Sequence, residues 1–331
     1  DACKKILEKT KGEKEGKVSK VERSTFNQAP PTPFDLTTLQ TEVYRCHRIA
    51  PKQTLEVAQE LYSAGFISYP RTSSQQYPKS IEYEKIIALL NQQDTYKELA
   101  QQLQARKNLE PNNGKKTDPA HPAIYPTGTV PRFSEGQEQK VYDIITRRFL
   151  ATFADPATRE TNKITVTVKD EPFVAKGTRT VEKGWHVFYG PYVKLDEQEL
   201  PKVKEQETIE IKKILKHDKE TQPPKRYTAA SIIKALEKKN LGTKATRASI
   251  VDTLFQRGYL HGKAIEATEL GIRTAATLEK FAPKIVDDEL TKHFEEEMEE
   301  IRQGKKKEED VLNEAKEALK SILDDLKAKE K

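Results

Sequence analysis

The chain of 331 residues is poor in cysteine: Cys3 and Cys46 are the only two, with no C-x-x-C spacing. That excludes a disulfide framework and a zinc ribbon. Long apolar runs are also missing. No stretch approaches the ~20 residues a membrane-crossing helix needs, so no membrane partner is expected. The opening, DACKKILEKTKGEKEGK, is charged and has no apolar centre, unlike a secretory signal. No G-x-x-x-x-G-K-[ST] loop occurs, which removes the commonest cradle for ATP phosphates. An intracellular, cytoplasmic location fits these absences. The sequence starts at Asp1 rather than at methionine and is expected to be a piece of something longer.

Charge is abundant: 33% of residues are charged against 35% hydrophobic, with a net charge of +6. Richness in Lys and Glu with little Cys or Met is a thermophile's composition. The charge is unevenly spread. Residues 222–263 carry nine Lys/Arg against two Asp/Glu, and residues 279–331 carry twelve against seventeen. A charge run is usually a solvated face, but a basic block within a patterned region points to a polyanion.

The patterning changes twice along the chain. Residues 1–34 hold a short helix, then the strand-like GKVSKVERSTFN, then the extended linker APPTPF. Helices are expected over 35–48, about 54–64, 80–107 and 134–150, with a five-proline loop at 111–133. From residue 160, TNKITVTVKD, EPFVAKG, GWHVFYGPYVK and ETIEIKKIL alternate with period two and read as strands. After Pro223–Pro224 come two amphipathic helices, with Ile232, Ile233 and Leu236, then Ile250, Val251, Leu254 and Phe255, turned inward. A hairpin turning at Gly262 follows, which is winged-helix order. A last helix spans 305–328. Three domains are expected: a discontinuous β-rich domain (1–34 and 154–221), a helical domain (35–153) and a winged-helix-like domain with C-terminal helices (222–331).

FISYPRTSS, residues 66–74, is too short for a helix. Pro70 drives Tyr69 toward extended geometry, and in an extended chain Tyr69 and Arg71 face the same way. A phenol ordinarily titrates near pH ~10, so it attacks phosphorus at neutral pH only where a cation stabilises the phenolate. A neighbouring guanidinium does this and also grips a phosphate with two hydrogen bonds. From spacing alone, a Tyr and an Arg on a solvated strand edge is the plainer account. His121 in its loop reads as incidental on the same basis. Lys244, Thr246 and Arg247 stand at the start of the second 222–260 helix, where free N–H groups favour a phosphate, or simply cap the helix. Lys225 and Arg226 suit phosphate contact or solubility. Trp185, Tyr189 and Tyr192 suit base stacking or, as the preferred reading, the core of a small β domain.

QELYSAGFISYPRTSS resembles the active-site segment of type IA DNA topoisomerases, in which Leu-Tyr, a glycine and Ile-Thr/Ser-Tyr-x-Arg-Thr follow one another. PPTPFDLTTLQ (30–40), DPAHPAIYPTG (118–128), YDIITRRFLATF (142–153), PPKRYTAASIIKALEKKNLGTKATRASIVDTLFQRGYL (223–260) and LTKHFEEEMEEI (290–301) are similar to further family motifs in the same order. The wording is nearest to archaeal members. The resemblance implies a multidomain α+β fold: the family's toroidal core without its TOPRIM domain, built from an antiparallel β arch, a helical gate and a winged-helix-like domain, with hinges near residues 35 and 153. It implies Tyr69 as nucleophile, Arg71 and His121 beside it, and single-stranded DNA held by Lys225, Arg226, Lys244, Thr246 and Arg247. It implies a nucleoid-associated enzyme that cuts and reseals DNA without ATP. The family's Mg²⁺ is held by an Asp-x-Asp-x-Glu set on the TOPRIM domain, and that pattern occurs nowhere here. No metal ligand is therefore expected in this chain, and the TOPRIM domain is expected in cis or on a separate chain. The topoisomerase portion of a reverse gyrase and a non-catalytic single-stranded-DNA-binding module are the alternatives.

Overall fold

The computed structural model describes residues 2–132 and 135–329. The chain forms two compact units, Asp1–Thr32 with Asn91–Asn112 and Arg147–Pro224, and Pro33–Leu90 with Asn113–Thr146 and Lys225–Lys331. Helices and an antiparallel sheet are both present.

The first unit is built on a four-stranded sheet of order β3-β2-β1-β4: β1 (Glu15–Gln28), β2 (Ala157–Val168), β3 (Glu171–Glu182) and β4 (Thr208–Glu210). β1 and β2 stay paired from Lys17↔Thr167 to Gln28↔Ala157, a ladder about 40 Å long at ~3.3 Å per residue. β2 and β3 are joined by Lys169 and Asp170 alone, both at positive φ (47° and 67°), as a two-residue hairpin of matching twist requires. β4 is shorter than its alternating sequence suggests, because it lies opposite only Glu15–Lys17, the first residues of β1. Helices α1 (Ala2–Lys9) and α5 (Lys97–Gln104) belong to this unit, as does the end of α6 (Gln137–Thr152).

The expected strand GWHVFYGPYVK is instead helix α7 (His186–Tyr189) and a 3-10 turn, Gly190–Tyr192. Gly190 sits at φ 53° and Pro191 has no N–H to give a ladder, so a strand cannot pass. Helical winding lets the Trp185 and Tyr189 rings approach to 6.1 Å, and Tyr189 and Tyr192 to 5.6 Å. All three aromatics are buried. The Trp185 indole N–H donates to the Gln28 carbonyl at 3.1 Å. They are core, as the sequence favoured.

The second unit holds α2 (Leu36–His47), α3 (Pro51–Ser63), α4 (Tyr83–Leu90), the start of α6, α8 (Ala229–Lys238) and α9 (Arg247–Gln256). It continues through the hairpin β5 (Leu260–His261) and β6 (Glu266–Ala267), then α10 (Glu269–Phe281), α11 (Pro283–Val286), α12 (Asp288–Arg302) and α13 (Glu308–Lys329). Asp35 starts α2 with a capping box: its carboxylate takes the Thr38 N–H at 2.7 Å and the Thr38 hydroxyl takes the Asp35 N–H at 3.0 Å, worth about 1 kcal/mol. The expected helix over 80–107 is broken between α4 and α5. The expected start of α6, Ser134, lies outside the described residues.

α8 and α9 close on Ile233, Ala248 and Val251, with Ile232, Leu236 and Phe255 packed against them. Ile250, expected inward, is 48% exposed and lies over the turn at Gly242. By contact, residues 225–331 fall with 33–90 and 113–146, while 91–112 and 147–153 fall with the sheet. The sequence patterning had set 222–331 apart from a continuous 35–153. The grouping follows from α8 packing on α2 and α9 on α3.

Candidate active site

α3 ends in a left-handed turn. Gly65 adopts φ 77°, its N–H bonds the Tyr62 carbonyl and the Phe66 N–H reaches back to the Leu61 carbonyl, both at 2.9 Å. This C-cap favours glycine, because a Cβ at positive φ is strained. The chain leaves the cap extended. Pro70, Thr72 and Ser74 are buried, while Tyr69, Arg71 and Ser73 are half-buried, the period-two alternation anticipated around Pro70.

The proline-rich loop holds this segment in register. Ile67 bridges Pro126, and the Ser68 N–H bonds the Tyr125 carbonyl at 2.9 Å. The Thr72 hydroxyl donates to the His121 carbonyl at 3.2 Å and accepts the Ser74 N–H at 3.0 Å. Further along, the Tyr77 hydroxyl donates to the Ile124 carbonyl at 2.7 Å. His121 is thereby brought against Tyr69, with ring centroids 4.6 Å apart and planes tilted by 47°. Tyr62, from the last turn of α3, also meets Tyr69, edge-on at 5.3 Å. Tyr69 is neither sealed in the core nor fully exposed.

Arg71 faces a cleft of about 430 Å³ lined by Lys52, Glu56, Gln59 and Ser63 of α3 and by Ala245 and Ser249 at α9. Its Nε is shielded from solvent and has no hydrogen-bond partner among the described residues. A buried N–H left so costs about 1–3 kcal/mol.

The basic residues expected to meet DNA separate into groups. Lys244 forms an ion pair with Asp118, three residues before His121. Burial by itself pushes the Asp118 carboxyl up, but the Lys244 ammonium and the N–H groups of Ser73 and Ala120 outweigh it and hold the group well below the usual carboxylate range. Thr246 is exposed, its hydroxyl accepting the Thr243 N–H at 2.9 Å. Arg247 is only 9% exposed and donates from Nε to the Leu241 carbonyl at 2.9 Å, so that N–H braces the α8–α9 turn. Lys225 and Arg226 are exposed, and Arg226 lies 3.5 Å from Glu266 of the hairpin rather than at Tyr69.

A family profile described as DNA topoisomerase matches residues 1–313. The chain belongs to the type IA DNA topoisomerase family. It is 47% identical over 317 residues to DNA topoisomerase 1 of Pyrococcus horikoshii, covering 95% of this chain and 46% of that protein. Against DNA topoisomerase 1 of Methanocaldococcus jannaschii the identity is 46% over 331 residues, covering 99% and 43%. The chain thus spans about half the length of the curated relatives it matches. The solved full-length topoisomerase I from Thermotoga maritima is similar with a TM-score of 0.77 and 26% identity, covering 97% of this chain and 54% of that one.

In this topoisomerase-family chain the sequence had marked Tyr69, Arg71 and His121 but not Tyr62, Thr72 or Asp118. Tyr62 was visible only as the end of a helix, and Asp118 only as part of a quoted motif. The described residues contain one group of His and carboxylates close enough to hold a metal, His293, Glu297 and Glu314 on α12 and α13. Lys306 already pairs with Glu297 there. The group makes no hydrogen bond to Tyr69, Arg71 or His121. No described helix is long and apolar enough to cross a membrane.

Proposed function

We propose that this chain is the nucleophile-bearing core of an ATP-independent type IA DNA topoisomerase, acting on single-stranded DNA at Tyr69. The observation that carries the reading is Arg71: a guanidinium with a shielded, unpaired N–H, two residues from a phenol, on a cleft shared with α9. The Tyr69 oxygen attacks a backbone phosphorus, the P–O3′ bond breaks, and the 5′ phosphate stays on Tyr69. The phenol gives up its proton and the departing O3′ gains one. The energy of the broken link is kept in the phosphotyrosyl bond, so resealing by the 3′ hydroxyl needs no nucleotide. Arg71 holds the non-bridging oxygens. His121 and Tyr62 fix the Tyr69 ring, and the tilted face-to-ring approach of His121 suits positioning better than proton transfer.

Mg²⁺ would assist charge development at the departing oxygen, but the residues around Tyr69 do not fit it. Asp118 is taken up by Lys244 and by backbone donors, and the sequence holds no Asp-x-Asp-x-Glu set. No step is therefore routed through a metal. The proposal assigns that chemistry to a TOPRIM domain in cis or on a separate polypeptide. The chain alone binds single-stranded DNA and cleaves it poorly. Supplied with that domain, it forms a covalent DNA adduct visible on a denaturing gel, and Tyr69→Phe abolishes it. An adduct persisting in Tyr69→Phe places the nucleophile elsewhere.

A further inference from the structure

Asp118 gathers three separate segments on one side chain. Its Oδ2 accepts the Ser73 N–H and the Ser73 hydroxyl, each at 3.0 Å. Its Oδ1 accepts the Ala120 and His121 N–H groups at 3.1 and 3.3 Å. Lys244, just ahead of α9, pairs with Oδ2. The Asp118 side chain is 2% exposed and that of Lys244 is 32% exposed. An amide keeps one acceptor oxygen, enough for the Ala120 and His121 N–H groups, but its NH₂ cannot accept the Ser73 N–H. The ion pair needs the charge. Asp118→Asn therefore removes the charge together with one backbone bond, and a second substitution at Lys244 separates the two.

Lys244 also stands among the residues that the DNA-binding reading assigns to phosphate contact, and a carboxylate paired with its ammonium offsets the charge a phosphate would meet and holds the side chain on the loop. We infer that Asp118 is a competing counter-ion that holds Lys244 back from DNA phosphates in the free protein and yields it to an arriving strand, thereby setting how tightly the strand is held. The inference rests on the DNA-binding part of the proposed function. A second ion pair of the same kind lies beside it: Lys116, from the same loop, bridges Asp35 at 3.2 Å and Glu237 of α8 at 2.9 Å. That pair contains no residue assigned to DNA and serves as an internal comparison. It joins the loop to α8 without withholding a phosphate ligand.

The test is a double-mutant cycle on the full chain, read by fluorescence anisotropy of a fluorescein-labelled single-stranded oligonucleotide. Asp118→Asn frees Lys244 and keeps one of the two acceptor oxygens. It is expected to bind about fivefold more tightly than wild type, the scale of a partly exposed ion pair. In the Lys244→Met background the same substitution loses the same backbone bond but has no ammonium to free, so no gain in binding is expected, which a merely structural role of Asp118 does not explain. Weaker or unchanged binding by Asp118→Asn overturns the inference, as does a gain that survives Lys244→Met. Failure of the wild type to bind overturns the DNA reading itself. A second readout needs no variant. In a structure of wild type with the oligonucleotide, Lys244 Nζ should lie on a phosphate oxygen and away from Asp118. Nζ still on Asp118 with the strand in place refutes the competition.

Discussion

Replacing Thr72 by valine tests what holds the nucleophile segment in place. Thr72 is fully buried. Valine matches its shape and adds no polar atom, so packing alone predicts little change. The hydroxyl, however, joins the segment to the loop by donating to the His121 carbonyl, and it is the acceptor for the buried Ser74 N–H. Losing two such bonds removes about 0.5–1.5 kcal/mol each, and leaving a buried N–H unpaired raises the total to roughly 3 kcal/mol. Thr72→Ser keeps both bonds and loses one methyl, at about 1 kcal/mol. The expected order of stability is Thr, then Ser, then Val, the reverse of hydrophobicity for the two variants. Native-state amide exchange at Ser74 and His121 reads the local effect, and urea unfolding followed by circular dichroism reads the global one. A valine variant as stable as the serine variant would show that packing, not the hydroxyl, sets the register, and would refute the reasoning.

Two further outcomes follow from the same geometry. Arg71→Ala should reduce adduct formation by the TOPRIM-supplied protein about a hundredfold while weakening oligonucleotide binding only severalfold; equal losses would make Arg71 a plain phosphate anchor. Burial, and then the nearby Arg159 charge, hold the His186 imidazole below its usual range, so the unfolded chain takes up its proton first as the pH falls. His186's contribution to stability is complete above about pH 6.5 and is lost as the pH falls from there through the folded-state value. Urea midpoints between pH 7.5 and 5 should show this, and a His186→Gln variant should show a flatter profile.

What could be read in advance was local. The β1–β2 and β2–β3 strands, the helix starting at Asp35 and the alternation around Pro70 are all fixed by neighbours in sequence, and each is legible from a few residues. The strand expected at 184–194 was not, because alternation of aromatics looks alike in a strand and in a short helix whose rings all turn into one core. Arg247 shows the same limit at the site. A basic residue at a helix start suits a phosphate, but only the folded turn reveals that one of its N–H groups, on Nε, is given to the Leu241 carbonyl and that the side chain is buried. Asp118 was illegible for a different reason. Its meaning comes from Ser73 and Lys244, which are far away along the chain, and no spacing rule connects the three.

The pairing of Gln28 with Ala157 has a consequence during synthesis. β1 leaves the ribosome before its partner strand, which emerges only after everything between them has been translated. Until then its hydrogen-bonding edge is open to any other extended chain. Lys17, Lys20, Glu22 and Arg23 punctuate that edge with charge, which discourages a nascent neighbour from docking and leaves the position vacant for the strand that belongs there.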